Sequence, residues 1–343
     1  MNVNEQAAHP SMSVSAEIYG SLFMRGTGHS NSILPAILTS FVGQCLKQSH
    51  NNIRKNLSFS CALQYCFFNS TRTSRMGQGI EIERDPSTGI GYILDKNPSD
   101  GSLIQKVPCS TRGEINAKIE SLQEKQSTWT LVPLEERVQL LRNAVKHLLI
   151  EKDDLATLIS QEMGKTLPES RAELDDIEEL TGTSLDLMKQ ANEPQVVENA
   201  CIVRDPLGVI AILSPWNFPA AEIIFHLLPA LVAGNAVVVK PSEVVPLVGQ
   251  FVISKLLQYS TSGLPVALPI DIVQGDGEVG EALVMHDGIH AVCMTGSSAV
   301  GKKVMENCGK RLKRVILEVS DVTLTDNIGC LKIDLCIYWS VKS

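Results

Sequence analysis

The sequence predicts an α/β fold: a mostly parallel sheet flanked by helices, with an N-terminal helical layer. Three observations carry this reading. After Asn192, short apolar runs alternate with helical stretches, the pattern of successive βαβ units. Runs such as Gly208-Val-Ile-Ala-Ile-Leu213 hold no polar residue, as expected of strands covered on both faces. Before Asn192, apolar residues recur instead at three- and four-residue spacing, which turns one face of each helix toward a core.

Composition sets the outer bounds. A length of 343 residues suggests two domains at roughly 150 residues each. Hydrophobic residues at 44% and charged residues at 20% match ordinary globular usage. Thirty basic against 38 acidic side chains give a net charge of −8, which argues against a general nucleic-acid binder. The best apolar stretch, Ile33 to Leu46, is interrupted by Pro35, Gly43 and Gln44, so no membrane span is predicted. The nine cysteines form no CxxC pair, which fits a reducing compartment better than a disulfide framework or structural zinc.

Residues 1–78 differ from the rest. They hold two acidic residues, Glu5 and Glu17, against six basic ones, and serine is abundant. Such a composition resembles an organellar transit segment. A disordered leader, or a true start at Met76, is the plainer alternative. Localisation is accordingly mitochondrial or plastid if the leader is a transit segment, and otherwise cytoplasmic.

From Gly79 the text becomes globular. Asn97-Pro-Ser-Asp-Gly101 reads as a turn between two short strands, because Pro presets φ and Gly tolerates positive φ. Helices are predicted over Thr111 to Trp129, Pro133 to Lys152, Asp154 to Met163 (stopped by Gly164) and Pro168 to Gln190. Val196 to Arg204 is a strand or hairpin arm. Strands follow at Gly208 to Leu213, Ala236 to Val239, Ile270 to Val273, Ala291 to Met294 and Arg314 to Leu317. Helices near 219–233, 245–259, 279–285 and 299–308 connect them.

Ligands of such sheets sit beyond the carboxyl ends of the strands. There the sequence places Ser214-Pro-Trp-Asn-Phe-Pro219, Lys240-Pro-Ser-Glu243, Gly275-Asp-Gly-Glu-Val-Gly280, Thr295-Gly-Ser-Ser-Ala-Val-Gly301 and Glu318. Small residues opening a helix let backbone N–H groups approach a phosphate, which the helix dipole favours. A strand-end lysine reaches ribose hydroxyls, and a neighbouring carboxylate accepts from a 2′-OH and repels a 2′-phosphate. Each signal has a bland reading. Asn217 could cap the following helix, Trp216 could pack under a loop, Lys240 could be a solvated charge, and a lone GxGxxG is a common accident. The force lies in all five standing in order at the same end of successive strands.

Together these motifs strongly resemble the aldehyde dehydrogenase family, over roughly Gly79 to Glu318. Thr295 to Gly301 and Lys313-Arg-Val-Ile-Leu-Glu318 are most similar to its succinate-semialdehyde type. The resemblance implies a Rossmann-like cofactor domain over residues 79–320, an oligomerisation arm at 194–206 and a non-family tail at 321–343. It implies NAD- or NADP-dependent oxidation of an aldehyde, semialdehydes included, to a carboxylic acid by a homo-oligomer that meets neither nucleic acid nor membrane. By the same resemblance Asn217 would donate to the oxyanion and Glu318 would be the general base. Lys240 and Glu243 would hold the adenosine ribose, Glu243 favouring NAD. Ser297 would contact the pyrophosphate, Ser214 and Trp216 would line the cleft, and Gly277 and Gly280 would allow close helix packing. No metal is implied.

The sequence departs from the family after Glu318. The family's attacking cysteine follows a Phe-x-Asn-x-Gly-Gln pattern, which the 25 residues after Glu318 lack. Cys330 and Cys336 do not fit it, and Cys293 falls inside a predicted buried strand, where thiols are usually inert. The expectation is a chain truncated before its nucleophile that does not complete the cycle. A non-catalytic NAD-binding or subunit-interaction module is the alternative.

Overall fold

A computed structural model describes residues 81–261, 266–319 and 339–340. The leader expected at 1–78 and nearly all of the 321–343 tail lie outside them. The described chain opens with an antiparallel meander of β1 (Ile82–Arg84), β2 (Gly91–Lys96) and β3 (Leu103–Pro108). The expected turn joins β2 to β3. Asn97 accepts from the Ser99 amide at 2.9 Å, and Gly101 takes a φ of 77° that a side chain would resist.

Four helices follow: α1 (Arg112–Trp129), α2 (Leu134–Leu148), α3 (Lys152–Met163) and α4 (Leu167–Asn192). Thr111 with Glu114, and Thr166 with Glu169, form capping boxes that satisfy the first amides of α1 and α4. The single helix expected over Pro133 to Lys152 ends early, because Leu149–Glu151 tightens into a 3₁₀ turn. Leu148 is fully buried there while Ile150 points out at 76% exposure, so the chain changes direction at the end of the apolar face. Residues 194–206 form a hairpin of β4 (Gln195–Val197) and β5 (Ala200–Ile202), followed by β6 (Asp205–Pro206). Trp339–Ser340 pairs antiparallel with β6.

The remainder is the predicted alternation: β7 (Val209–Leu213), α5 (Ala221–Val232), β8 (Ala236–Lys240), α6 (Pro246–Thr261), β9 (Ile270–Ile272), α7 (Gly277–Met285), β10 (Ala291–Gly296), α8 (Ser298–Lys310) and β11 (Arg314–Val319). All five strands run parallel, in the spatial order β11-β10-β7-β8-β9. The chain therefore builds outward from β7 to β9, then returns to the other side of β7 with β10. The strand order reverses between β7 and β10, which opens a crevice at their carboxyl ends.

Alternate residues of each strand feed two cores. Ile210, Ile212, Val237 and Val239 pack with α2 through α6, and Val209, Ala211, Val238 and Val292 pack with α1, α7 and α8. Each fully buried Val, Leu or Ile contributes roughly 1.5–3 kcal/mol, so the sheet is held rigid from both sides. Buried Trp129 donates from Nε1 to the Leu231 carbonyl at 2.8 Å and ties the helical layer to α5. The loops at the carboxyl ends are what this scaffold positions.

Candidate functional site

Beyond β7, the Ser214 amide donates to the Lys240 carbonyl at 3.1 Å, extending the β7–β8 pairing by one residue. The Ser214 hydroxyl is buried and has no hydrogen-bond partner among the described residues. Trp216 is 37% exposed and Asn217 half-buried.

Asn217 does not cap the next helix. Helix α5 begins only at Ala221, and no side chain of its own caps it. Its leading amides, Ala220 and Ala221, donate instead to one carboxylate oxygen of Glu173 in α4, at 2.9 and 3.0 Å. Glu173 is buried and paired with Lys165 at 2.6 Å, and Lys165 lies 4.3 Å from the Phe218 ring centre. The loop carrying Asn217 is thus fastened from behind, and its amide is not spent on the helix terminus.

Beyond β8, buried Lys240 reaches Glu243 at 3.2 Å and the Pro241 carbonyl at 3.1 Å. Its stem crosses Gly280, where an added Cβ would meet it at 3.6 Å, an ordinary contact. A Cβ on Gly277 would meet nothing, so neither glycine is sterically required. The demanding glycine is Gly275, with φ at +147° and Val279 only 2.3 Å from its would-be Cβ. Asp276 caps α7 through the Glu278 amide at 3.0 Å. Beyond β10, Ser297 caps α8, accepting from the Val300 amide at 3.4 Å.

A polar cluster lies where β10 and β11 end. Thr295 is the register partner of Glu318. The Thr295 hydroxyl donates to Glu222 Oε2 at 3.1 Å and lies 3.2 Å from His226 Nε2. His226 Nε2 is also 3.3 Å from Glu222 Oε2, and its Nδ1 is 3.2 Å from Cys293 Sγ. Burial opposes charging His226, but the hydrogen bonds to Cys293 and Glu222 outweigh it and raise the pKa to about 10. Burial and then the Glu222 charge push the Glu318 carboxyl up, against His226 and the Thr295 hydroxyl, which pull it down. A carboxylate raised in this way is better placed to accept a proton.

Sequence reasoning missed His226 and Glu222. Their signal was legible: one Glu and one His, four residues apart, in an otherwise apolar helix. Cys293 is buried as expected, but it belongs to this hydrogen-bonded cluster. Of the other described cysteines, Cys308 is buried, Cys109 half-buried after β3 and Cys201 exposed on the hairpin. Cys330 and Cys336 lie outside the described residues. A separate cavity of about 940 Å³ lies between β1 and α7 and is lined by none of the predicted site residues.

Residues 86–321 match the aldehyde dehydrogenase family. The D-glyceraldehyde dehydrogenase (NADP(+)) of Picrophilus torridus is 30% identical over 248 residues, 69% of this chain and 48% of that relative. The N-succinylglutamate 5-semialdehyde dehydrogenase of Novosphingobium aromaticivorans is 35% identical over 227 residues, 64% of this chain and 47% of that relative. A crystal structure of betaine aldehyde dehydrogenase from Staphylococcus aureus in complex with NAD+ superposes with a TM-score of 0.62 at 25% identity, covering 70% of this chain and 48% of that one. The chain spans about half the length of the curated relatives it matches. A match across most of the chain, on a sheet whose strand ends carry the motifs in order, means that this protein belongs to the aldehyde dehydrogenase family.

Proposed function

We propose that this chain provides the cofactor half of an NAD(P)-dependent oxidation of an aldehyde, semialdehydes included, to a carboxylic acid. The observation that carries the reading is that the motif residues stand at the carboxyl ends of all five strands of one parallel sheet, whose order reverses between β7 and β10. Residues 79–320 act as the cofactor domain. The residues present suit a dinucleotide: the Ser214 hydroxyl is buried without a partner among the described residues, and the Lys240–Glu243 pair stands one strand away. When bound, the nicotinamide accepts hydride from the substrate carbon.

The chain's own residues then have separate tasks. Lys240 and Glu243 hold the adenosine ribose, and the Glu243 carboxylate disfavours a 2′-phosphate, so NAD is preferred over NADP. Ser297 and the leading amides of α8 face the pyrophosphate. Ser214 and Trp216 line the cleft, with Gly277 and Gly280 at its α7 side. Asn217, free of capping duty, donates to the oxyanion formed as a nucleophile adds to the aldehyde carbonyl. Glu318 takes the proton from the water that releases the acid.

Titrating the full chain with NADH and NADPH, followed by nicotinamide fluorescence, tests this reading. NADH should bind saturably and more tightly. Glu243→Gln should move the NADH-to-NADPH ratio toward NADPH by roughly tenfold, equivalent to about 1.4 kcal/mol. Saturable binding of neither dinucleotide would sink the proposal.

A second reading is favoured by the hairpin at 194–206. It exposes Val196 at 79%, Val197 at 52% and Val203 at 55%, an apolar edge suited to pairing with another family subunit. On that reading the chain is a subunit-interaction module that also retains NAD.

A further inference from the structure

We propose that Glu222, His226 and Glu318 form a site for a divalent transition-metal ion, with Zn²⁺ the best fit. The three residues offer one imidazole nitrogen and two carboxylate oxygens, all within 4.8 Å of one another. In a tetrahedral site, metal bonds of about 2.0–2.2 Å place donors roughly 3.3–3.6 Å apart. Closing the cluster around an ion therefore takes roughly 1–1.5 Å of side-chain movement, which the exposed Glu318 side chain can supply. One imidazole with two carboxylates suits Zn²⁺ better than Mg²⁺, and leaves a fourth position for water or an oxygen of substrate.

Two features distinguish this cluster from an ordinary group of surface acids. His226 is only 9% exposed, so one ligand is already immobilised in the core. Its other ring nitrogen contacts Cys293 Sγ at 3.2 Å, which leaves Nε2 directed at Glu222 and Thr295. An outer partner on the non-ligating nitrogen is the usual way proteins fix a metal-binding imidazole. The Thr295 hydroxyl steadies Glu222 in the same manner. A proton shared among these groups is the competing occupant.

The site itself needs no dinucleotide. Its regulatory consequence does rest on the general-base reading of Glu318. An ion held by Glu318 withholds that carboxylate from water, so metal occupancy and base function exclude each other at one residue.

The test uses Zn²⁺ and Co²⁺ with the full chain, purified metal-free. Calorimetric titration with Zn²⁺ should give one saturable equivalent, and Co²⁺ should give visible ligand-field bands that Zn²⁺ abolishes. Glu222→Gln and His226→Asn should each remove the bands. Cys293→Ala should keep the stoichiometry but weaken binding by about 10- to 100-fold. Circular dichroism of each variant reports whether it folds. If the His226 variant does not, Glu222→Gln at the partly buried position and the Co²⁺ spectrum of the unaltered chain still decide. Absence of saturable binding, or binding unchanged by Glu222→Gln, would overturn the site and leave the cluster as a proton-sharing network. NADH titration of the same samples separates the readings: metal without NADH refutes the proposed function, and NADH without metal refutes this site.

Discussion

Two buried glutamates do the same structural work in opposite electrostatic settings. Glu173 of α4 accepts from the leading amides of α5, and Glu162 of α3 accepts from the Leu247 and Val248 amides at the start of α6. Both helix termini thus receive a carboxylate from the helical layer, where the positive end of the helix dipole favours one. Glu173 faces Lys165 at 2.6 Å. Glu162 faces Asp95 of β2, a buried carboxyl that makes no hydrogen bond of good geometry among the described residues. Burial, and then the Asp95 charge, push Glu162 up to about 9, against the two amides that pull it down. Burial raises Asp95 as well. A helix start can therefore be capped by a carboxylate held in an ion pair or by one that faces a second buried carboxyl, and in the second case burial and the like charge favour the protonated form.

The difference can be broken at either end. The largest effect should come from Glu173→Gln, which strands the Lys165 ammonium in the core. Losing one partner of a buried pair costs roughly 3–5 kcal/mol, measurable by urea denaturation at pH 7. The same substitution should weaken NADH binding, because the loop bearing Asn217 loses its anchor. Glu162→Gln should behave oppositely. Its amide can still accept from Leu247 and can donate to the neighbouring Asp95 carboxyl. Stability at pH 8 should hold or rise by up to about 1.5–3 kcal/mol, as expected for a hydrogen bond to a charged group.

Glu162 also predicts a pH profile. Its folded pKa lies above its ordinary value of 4.5, so the folded chain binds this proton more tightly than the unfolded one. The stabilising contribution is complete below about pH 4.5 and is lost as pH rises through about 9. Denaturation midpoints of the unaltered chain should fall across that window, and those of Glu162→Gln should fall less. The smallest effect should come from Asp95→Asn, which removes the like charge but not the burial. It should narrow the pH dependence without abolishing it, because burial remains the larger cause. An unchanged profile in both variants would mean that the titrating proton lies elsewhere.

Much of the fold was legible because its signals are local. The alternation of apolar runs and helical stretches is written within windows of ten to twenty residues, and each predicted strand of the sheet is present within two or three residues of its expected ends. The positions of the candidate residues were legible for the same reason: Ser214, Lys240 and Glu318 directly follow predicted strands, and Asn217 and Ser297 stand three or four residues further on. The interruption at Leu149 was missed, because an apolar face continuing past a helix end looks like more helix.

By itself, then, the sequence determined which segments become strands and helices, and which polar residues stand at the strand ends. The tertiary structure alone decided the strand order that opens the crevice between β7 and β10. It also paired Glu173 with Ala220, Glu162 with Leu247, and His226 with Cys293 and Thr295. Those partners lie 47, 85, 67 and 69 residues apart. No periodicity spans such distances. Residues so far apart meet only because two buried faces of one parallel sheet must each be covered, and the covering helices carry their charges to the strand ends.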